Sequence, residues 1–133
     1  MNKAVLDTDT LSALMRQRTS VVDQARAYLS YQSKLTISLI TRYEILRGLY
    51  AKNAMRQIES FEVLCDSMEV LPVSQAVVDR AATIYGALRN NGITIGDADI
   101  LIGAACLEFG YEIVANNTAH FSHLPNLTLQ NWI

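Results

Sequence analysis

Six side chains carry the oxygen donors on which this chain's chemistry would turn. Asp7 and Asp9 follow the apolar run Ala4-Val5-Leu6, and Glu44 lies early in a helical stretch. Asp97 and Asp99 open a strongly apolar stretch, and Asn117 comes just after Glu112-Ile113-Val114-Ala115. Convergence of these acids on one rim would be costly: two unit charges about 4 Å apart repel by roughly 4 kcal/mol at an effective dielectric of 20. Some would then take up protons at raised pKa values unless a cation neutralised them. Oxygen-only donors with open positions suit Mg²⁺ or Mn²⁺, which keep waters and meet substrate phosphates. No Ser-His or Cys-His spacing points to a side-chain nucleophile. His120 and His123 fit no zinc pattern with Cys65 and Cys106, and both read as structural or surface residues.

Each acid also has a local explanation. Thr41-x-x-Glu44 has the form of a capping box, with Glu44 reaching back to the cap residue's N–H. Asp97 can be an N-cap, Asp99 can complement a helix dipole, and Asp9 can cap a segment starting at Thr10. Asp7 stands apart, because the apolar run before it suggests no helix for it to cap. The joint pattern, more than any single acid, points to a site.

The elements that must position these residues follow from periodicity. Residues 3–7 read as a short strand ending in a carboxylate, and residues 35–39 as a second. Val21, Val22, Ala25 and Leu29 give a helix over residues 19–30, and Ile45, Leu46 and Leu49 another beginning at Thr41. A helix over residues 54–66 and a brief strand over 69–73 come next. Ser74 is a plausible N-cap for a helix reaching about Asn90, where Asn90-Asn91-Gly92 is a stop signal. Asp97 or Gly96 opens a helix over 98–109 that is apolar on nearly all sides and must be largely buried. Gly110 ends it, residues 112–115 form a strand, and residues 127–129 a last one. Strands alternating with helices predict a mainly parallel α/β sheet with helices on both faces, in one domain spanning residues 1–133.

Composition narrows the class. Of 133 residues, 50% are apolar and 18% charged, a globular balance rather than a disordered one. No apolar run is long enough to span a bilayer, so no membrane partner is expected. The opening residues carry no signal-peptide pattern, and Cys65 and Cys106 sit among apolar neighbours as buried free thiols, so the cytoplasm is the expected location. The net charge is only −2, yet eight basic residues and only two acids lie from Arg16 to Arg56. That asymmetry suits either solvated helix faces or a phosphate-rich or acidic partner.

Four motifs in series resemble a known family. They are Val5-Leu-Asp7-Thr-Asp9; Ile37-Ser-x-Ile-Thr41-x-x-Glu44-Ile-x-x-Gly48; Gly96-Asp-x-Asp99-x-x-Ile102-Gly-Ala-Ala105; and Ile113-Val-Ala-Asn-Asn117-x-x-His-Phe121. In order and spacing, with the ending Leu127-Thr-Leu-x-Asn-Trp132, they resemble PIN domains, more narrowly the VapC-type toxins of toxin–antitoxin pairs. Ala115 departs from the pattern, where threonine is common, and Gly103 replaces a frequent alanine with little expected effect. The resemblance implies an α/β/α sandwich and a Mg²⁺-dependent endoribonuclease, with Mn²⁺ a possible substitute. It also implies RNA, most often tRNA, as substrate, a cognate VapB-like antitoxin as partner, and a homodimer. By position it makes Asp7, Glu44 and Asp99 the catalytic, metal-holding acids, with Asp97 and Asn117 as auxiliary metal residues. The antitoxin is expected to fill an apolar groove and set a basic side chain against the acids.

Two other classes compete. An aspartyl-nucleophile phosphohydrolase would use Asp7-Thr-Asp9 and Gly96-Asp97-x-Asp99, but the chain is short for that fold and has no lysine after Lys52. A non-catalytic module of the same fold, binding RNA or protein, would not need Asp7, Glu44 and Asp99 together.

Overall fold

The computed structural model describes residues 2–133. In chain order the elements are β1 (Ala4–Leu6), α1 (Thr8–Met15), α2 (Thr19–Leu29), β2 (Thr36–Ser38), α3 (Leu39–Ala51) and α4 (Met55–Asp66). They continue with β3 (Glu69–Leu71), α5 (Gln75–Asn90), α6 (Asp97–Phe109), β4 (Glu112–Val114), α7 (Thr118–Phe121) and β5 (Leu129–Gln130). The strands form one parallel sheet in the order β3-β2-β1-β4-β5. From β1 the chain winds outward through β2 to β3, then returns to add β4 on the other side of β1. The order therefore reverses between β1 and β4, the place where an open parallel sheet leaves a crevice beyond its strand ends.

Period-two alternation splits the sheet's side chains between two helical layers. Ala4, Leu6, Ile37 and Val114 pack on one face with Leu11 and Ala13 of α1, Val21, Ala25 and Tyr28 of α2, and Phe61 and Cys65 of α4. Val5, Leu71, Ile113 and Ala115 pack on the other with Ile102 and Cys106 of α6. The result is an α/β/α sandwich. Helix α6 is buried from Ile100 to Cys106 apart from Leu101, as its unbroken apolar sequence requires, and α5 covers its outer side. Gly103 lets Leu124 lie against α6, because a Cβ there would collide with the Leu124 side chain. An alanine at 103 would thus require the end of the Leu124 side chain to shift. Gly110 ends α6 in the left-handed region at φ +76°, which costs a residue without a Cβ little. Both cysteines are buried and free, as expected, and burial pushes the Cys106 thiol up to about 12.

Most predicted elements lie within a residue or two of their expected places, and Ser74 caps α5 by accepting from the Val77 N–H at 3.2 Å. Three differences bear on the site. Helix α1 starts directly after β1, and Asp7 is its N-cap, accepting from the Thr10 N–H at 2.8 Å. The carboxylate expected to have no helix therefore caps one; α1 was hidden because it is only eight residues long and its four apolar residues, Leu11, Ala13, Leu14 and Met15, crowd into its last five positions, too short a stretch for a helical period to show. Helix α3 begins before Thr41, with Ser38 as its cap through the Ile40 N–H at 3.0 Å, so Thr41-x-x-Glu44 is no capping box. Short α7 was not foreseen, while β5 is Leu129–Gln130 rather than 127–129 and β3 stops at Leu71.

Candidate active site

The crevice beyond β1 and β4 collects residues from four parts of the chain. Asp7 ends β1, Glu44 lies one turn into α3, and Asp99 lies in the first turn of α6. Asn117 and His120 belong to the start and body of α7, just after β4. Asp7 is 4% exposed. Burial pushes its carboxyl up to about 6; its bonds to Thr10 oppose this, and the Asp9 and Asp99 charges add to it. Asp7 and Asp99 are thus electrostatic neighbours, and Asp7 pays the larger desolvation cost because it is the deeper of the two.

Glu44 is held from α1. The Thr8 hydroxyl donates to Glu44 Oε1 at 2.6 Å and lies 3.1 Å from the Thr41 hydroxyl. Arg47, one turn along α3, brings Nη2 to 3.5 Å from Glu44 Oε2 and lays its guanidinium 5.3 Å from the Tyr43 ring centre. Arg42 instead pairs with Glu62 of α4 at 2.7 Å, so of the two arginines flanking Glu44 only Arg47 faces the site.

On the α6 side, His120 Nδ1 lies 2.6 Å from Asp99 Oδ2 and 2.9 Å from the Asn117 amide. Asp97 and Asp9 are both exposed, and Asp97 projects about 200° around α6 from Asp99. The fold therefore draws Asp7, Glu44, Asp99 and Asn117 to one rim and leaves Asp97 outside these contacts. Sequence reasoning missed two residues here, Thr8 and His120. The signal for His120 was Asn117-x-x-His120, a spacing of three that one helical turn stacks on a single face; the turn itself was not foreseen.

A groove of about 690 Å³ runs from this rim between α1, α3 and α4. Thr8 and Glu44 close its site end, Met15, Leu49, Phe61 and Leu64 give it apolar walls, and Arg16 and Lys52 add positive charge. A larger groove of about 1140 Å³ lies at the opposite, amino end of the sheet, beside the Arg80–Glu108 ion pair, and none of the site residues lines it.

The PIN domain family model matches residues 4–127. The chain belongs to the PIN domain family. It is 24% identical to ribonuclease VapC1 of Haemophilus influenzae (strain R2866), over 96% of each chain. It is 28% identical to the tRNA(fMet)-specific endonuclease VapC of Shigella flexneri, over 99% of each. In structure it resembles the crystal structure of VapBC2 from Rickettsia felis bound to a promoter DNA fragment, with a TM-score of 0.87 at 23% identity over 98% of each chain.

This PIN domain offers donors that fit a divalent cation. Three carboxylates and an amide supply oxygen, and the buried, proton-hungry Asp7 is the group a cation would relieve most. Among the described residues, no three His, Cys, Asp or Glu side chains stand together as a ready cluster. The reason is visible in the hydrogen bonds: Glu44 is turned to Thr8, Asp99 to His120 and Asp7 to Thr10.

Proposed function

We propose that this PIN domain is the toxin of a toxin–antitoxin pair, a divalent-metal-dependent endoribonuclease that hydrolyses phosphodiester bonds in RNA. The carrying observation is Asp7, a buried carboxylate at the sheet's switch point whose charge is opposed by burial and by neighbouring acids. Such a group persists at a cost unless a cation shares the site. The proposed ion is Mg²⁺, with Mn²⁺ as substitute, and the proposed substrate is tRNA in the cytoplasm. Asp7, Glu44 and Asp99 are proposed as the acids that hold the ion. Asn117 is proposed to contribute through water and Asp97 as an outer residue.

The chain's own residues then have distinct tasks. Thr8 fixes the rotamer of Glu44 through its hydroxyl, and the α1 cap keeps Asp7 aimed along the rim. Arg47 balances charge beside Glu44, and with Arg16 and Lys52 it faces the phosphate backbone, a contribution that added salt weakens. A bound divalent ion supplies a water of lowered pKa and stabilises the charge that develops at the scissile phosphate.

The groove from Thr8 to Leu64 suits the antitoxin, whose apolar segment would line it and whose basic side chain would reach Glu44 in place of Arg47. A second copy of the chain is the proposed cover for Leu39, Tyr43 and Tyr50, which stand exposed along α3.

The deciding experiment incubates purified chain with total cellular RNA and Mg²⁺ or Mn²⁺ and maps new 5′ ends, with Asp7→Asn alongside. Discrete ends that vanish with chelator and with the variant support the reading. Absence of cutting by folded, antitoxin-free protein overturns it in favour of a binding module, and hydrolysis of small phosphate esters alone in favour of a phosphohydrolase.

A further inference from the structure

We infer that the last turn of α5 is a nucleotide subsite beside the acids: Tyr85 stacks on a base of unpaired RNA, and Arg89 holds a phosphate of the same strand on its way to Asp99. The inference rests on the ribonuclease reading above and adds two residues that none of the four motifs contains.

Placement comes from the packing of two helices. Arg80, early in α5, pairs with Glu108 at the far end of α6 at 2.9 Å. Leu88, in the last turn of α5, shares an apolar cluster with Ile95 and with Ile100, the residue after Asp99. The two helices therefore run antiparallel, and the end of α5 stands beside the first turn of α6. The connection between them is tight, with the Ile93 N–H donating to the Leu88 carbonyl at 2.8 Å. Packed helix axes lie about 8–10 Å apart, so Arg89, next to Leu88, stands at the margin of the rim.

Charge says what this margin can receive. From Gln75 to Phe121 the chain carries five acids, Asp79, Asp97, Asp99, Glu108 and Glu112, and only two arginines. Arg80 is taken up by Glu108. Among the described residues, no carboxylate lies within ion-pair distance of Arg89, whose guanidinium instead rests 5.4 Å from the Tyr85 ring centre. A polyanion reaching Asp99 across this acid-rich flank thus meets one uncompensated arginine, while Arg47 serves the α3 flank. The α5 dipole favours a cation in the last turn, but it does not call for an aromatic ring left 42% exposed beside it. Ring and guanidinium together suit a nucleotide: the π-face takes any base, and the planar fork donates to two phosphate oxygens. A base must be unstacked to reach the ring, so the pair favours unpaired RNA over a duplex.

The test measures fluorescence anisotropy of a short, unstructured, end-labelled RNA oligonucleotide of mixed sequence, and of the matching duplex, with the full chain in excess chelator. Binding is then read without cleavage. Tyr85→Ala should weaken single-strand binding about tenfold, and Tyr85→Phe should stay within about twofold of wild type. Tyr31→Ala, at a tyrosine 69% exposed ahead of β2, should also stay within about twofold. Arg89→Gln should weaken binding and lower the slope of log affinity against log salt by about one. With Mn²⁺, Tyr85→Ala and Arg89→Gln should raise KM for cutting in parallel. Binding and KM unchanged in both variants, or a loss equal for strand and duplex, overturns the subsite and leaves the ribonuclease reading standing. So does a loss that light scattering traces to a dimer becoming monomer in Tyr85→Ala. Wild-type chain that neither binds the oligonucleotide nor cuts RNA with Mn²⁺ overturns the ribonuclease reading and this inference with it.

Discussion

Replacing Asp7 by asparagine should destroy activity and at the same time stabilise the metal-free protein. In the folded chain the Asp7 carboxyl is raised from 3.8 to about 6, chiefly by burial and secondarily by Asp9 and Asp99, against the opposing bonds from Thr10. A shift of about two units corresponds to about 3 kcal/mol at 1.36 kcal/mol per unit. Because the folded form holds its proton more tightly, the contribution of Asp7 to stability is most favourable below about pH 4, falls through the interval from 4 to 6, and reaches its full penalty above 6. Asparagine is neutral and still offers Oδ1 to the Thr10 N–H, so the cap on α1 survives. Urea unfolding in excess chelator should therefore show Asp7→Asn more stable than wild type by up to about 3 kcal/mol at pH 7.5. The difference should close as pH approaches 4. Adding Mn²⁺ should stabilise the wild type and leave the variant unmoved. Equal stabilities across that pH range, or a variant less stable throughout, would refute the account of Asp7 as a carboxylate strained by burial and charge.

Other expectations follow from single contacts. Thr8→Val removes the hydroxyl that orients Glu44, and kcat/KM for RNA cleavage should fall about tenfold or more, with the circular dichroism spectrum unchanged. Tyr28→Phe leaves the buried Ala4 N–H without its 3.1 Å acceptor at the start of β1; urea denaturation should register a loss of about 1–3 kcal/mol. Tyr50→Glu puts charge into the exposed stripe of α3, and light scattering should show a dimer shifted to monomer with the fold retained.

Much of this protein was legible in its residues. Apolar runs of strand character alternating with helical periodicity gave the parallel α/β class, because each pattern demands its own burial geometry. The unbroken apolar face of α6 required a central position, Ser74 marked the start of α5, and Gly110 marked the end of α6. The acids stood out through their places at strand and helix ends. The motif order also led to the PIN family, whose model covers residues 4–127.

Tertiary structure decided which local role each polar group has. Thr41 and Glu44 have capping-box spacing, yet Ser38 caps α3 and Glu44 bonds to Thr8, a residue 36 positions away. Asp7 both caps α1 and faces the site, a double role invisible while α1 was hidden. His120 looked like a surface residue because its one partner nearby in sequence, Asn117, meets it only once α7 forms; the fold then puts Asp99 of α6 against it. Patterning along a chain reports burial, which depends on the average character of a segment. Hydrogen-bond partnership depends on atoms meeting within about 3 Å, and only the folded arrangement of β1, α3, α6 and α7 sets that distance.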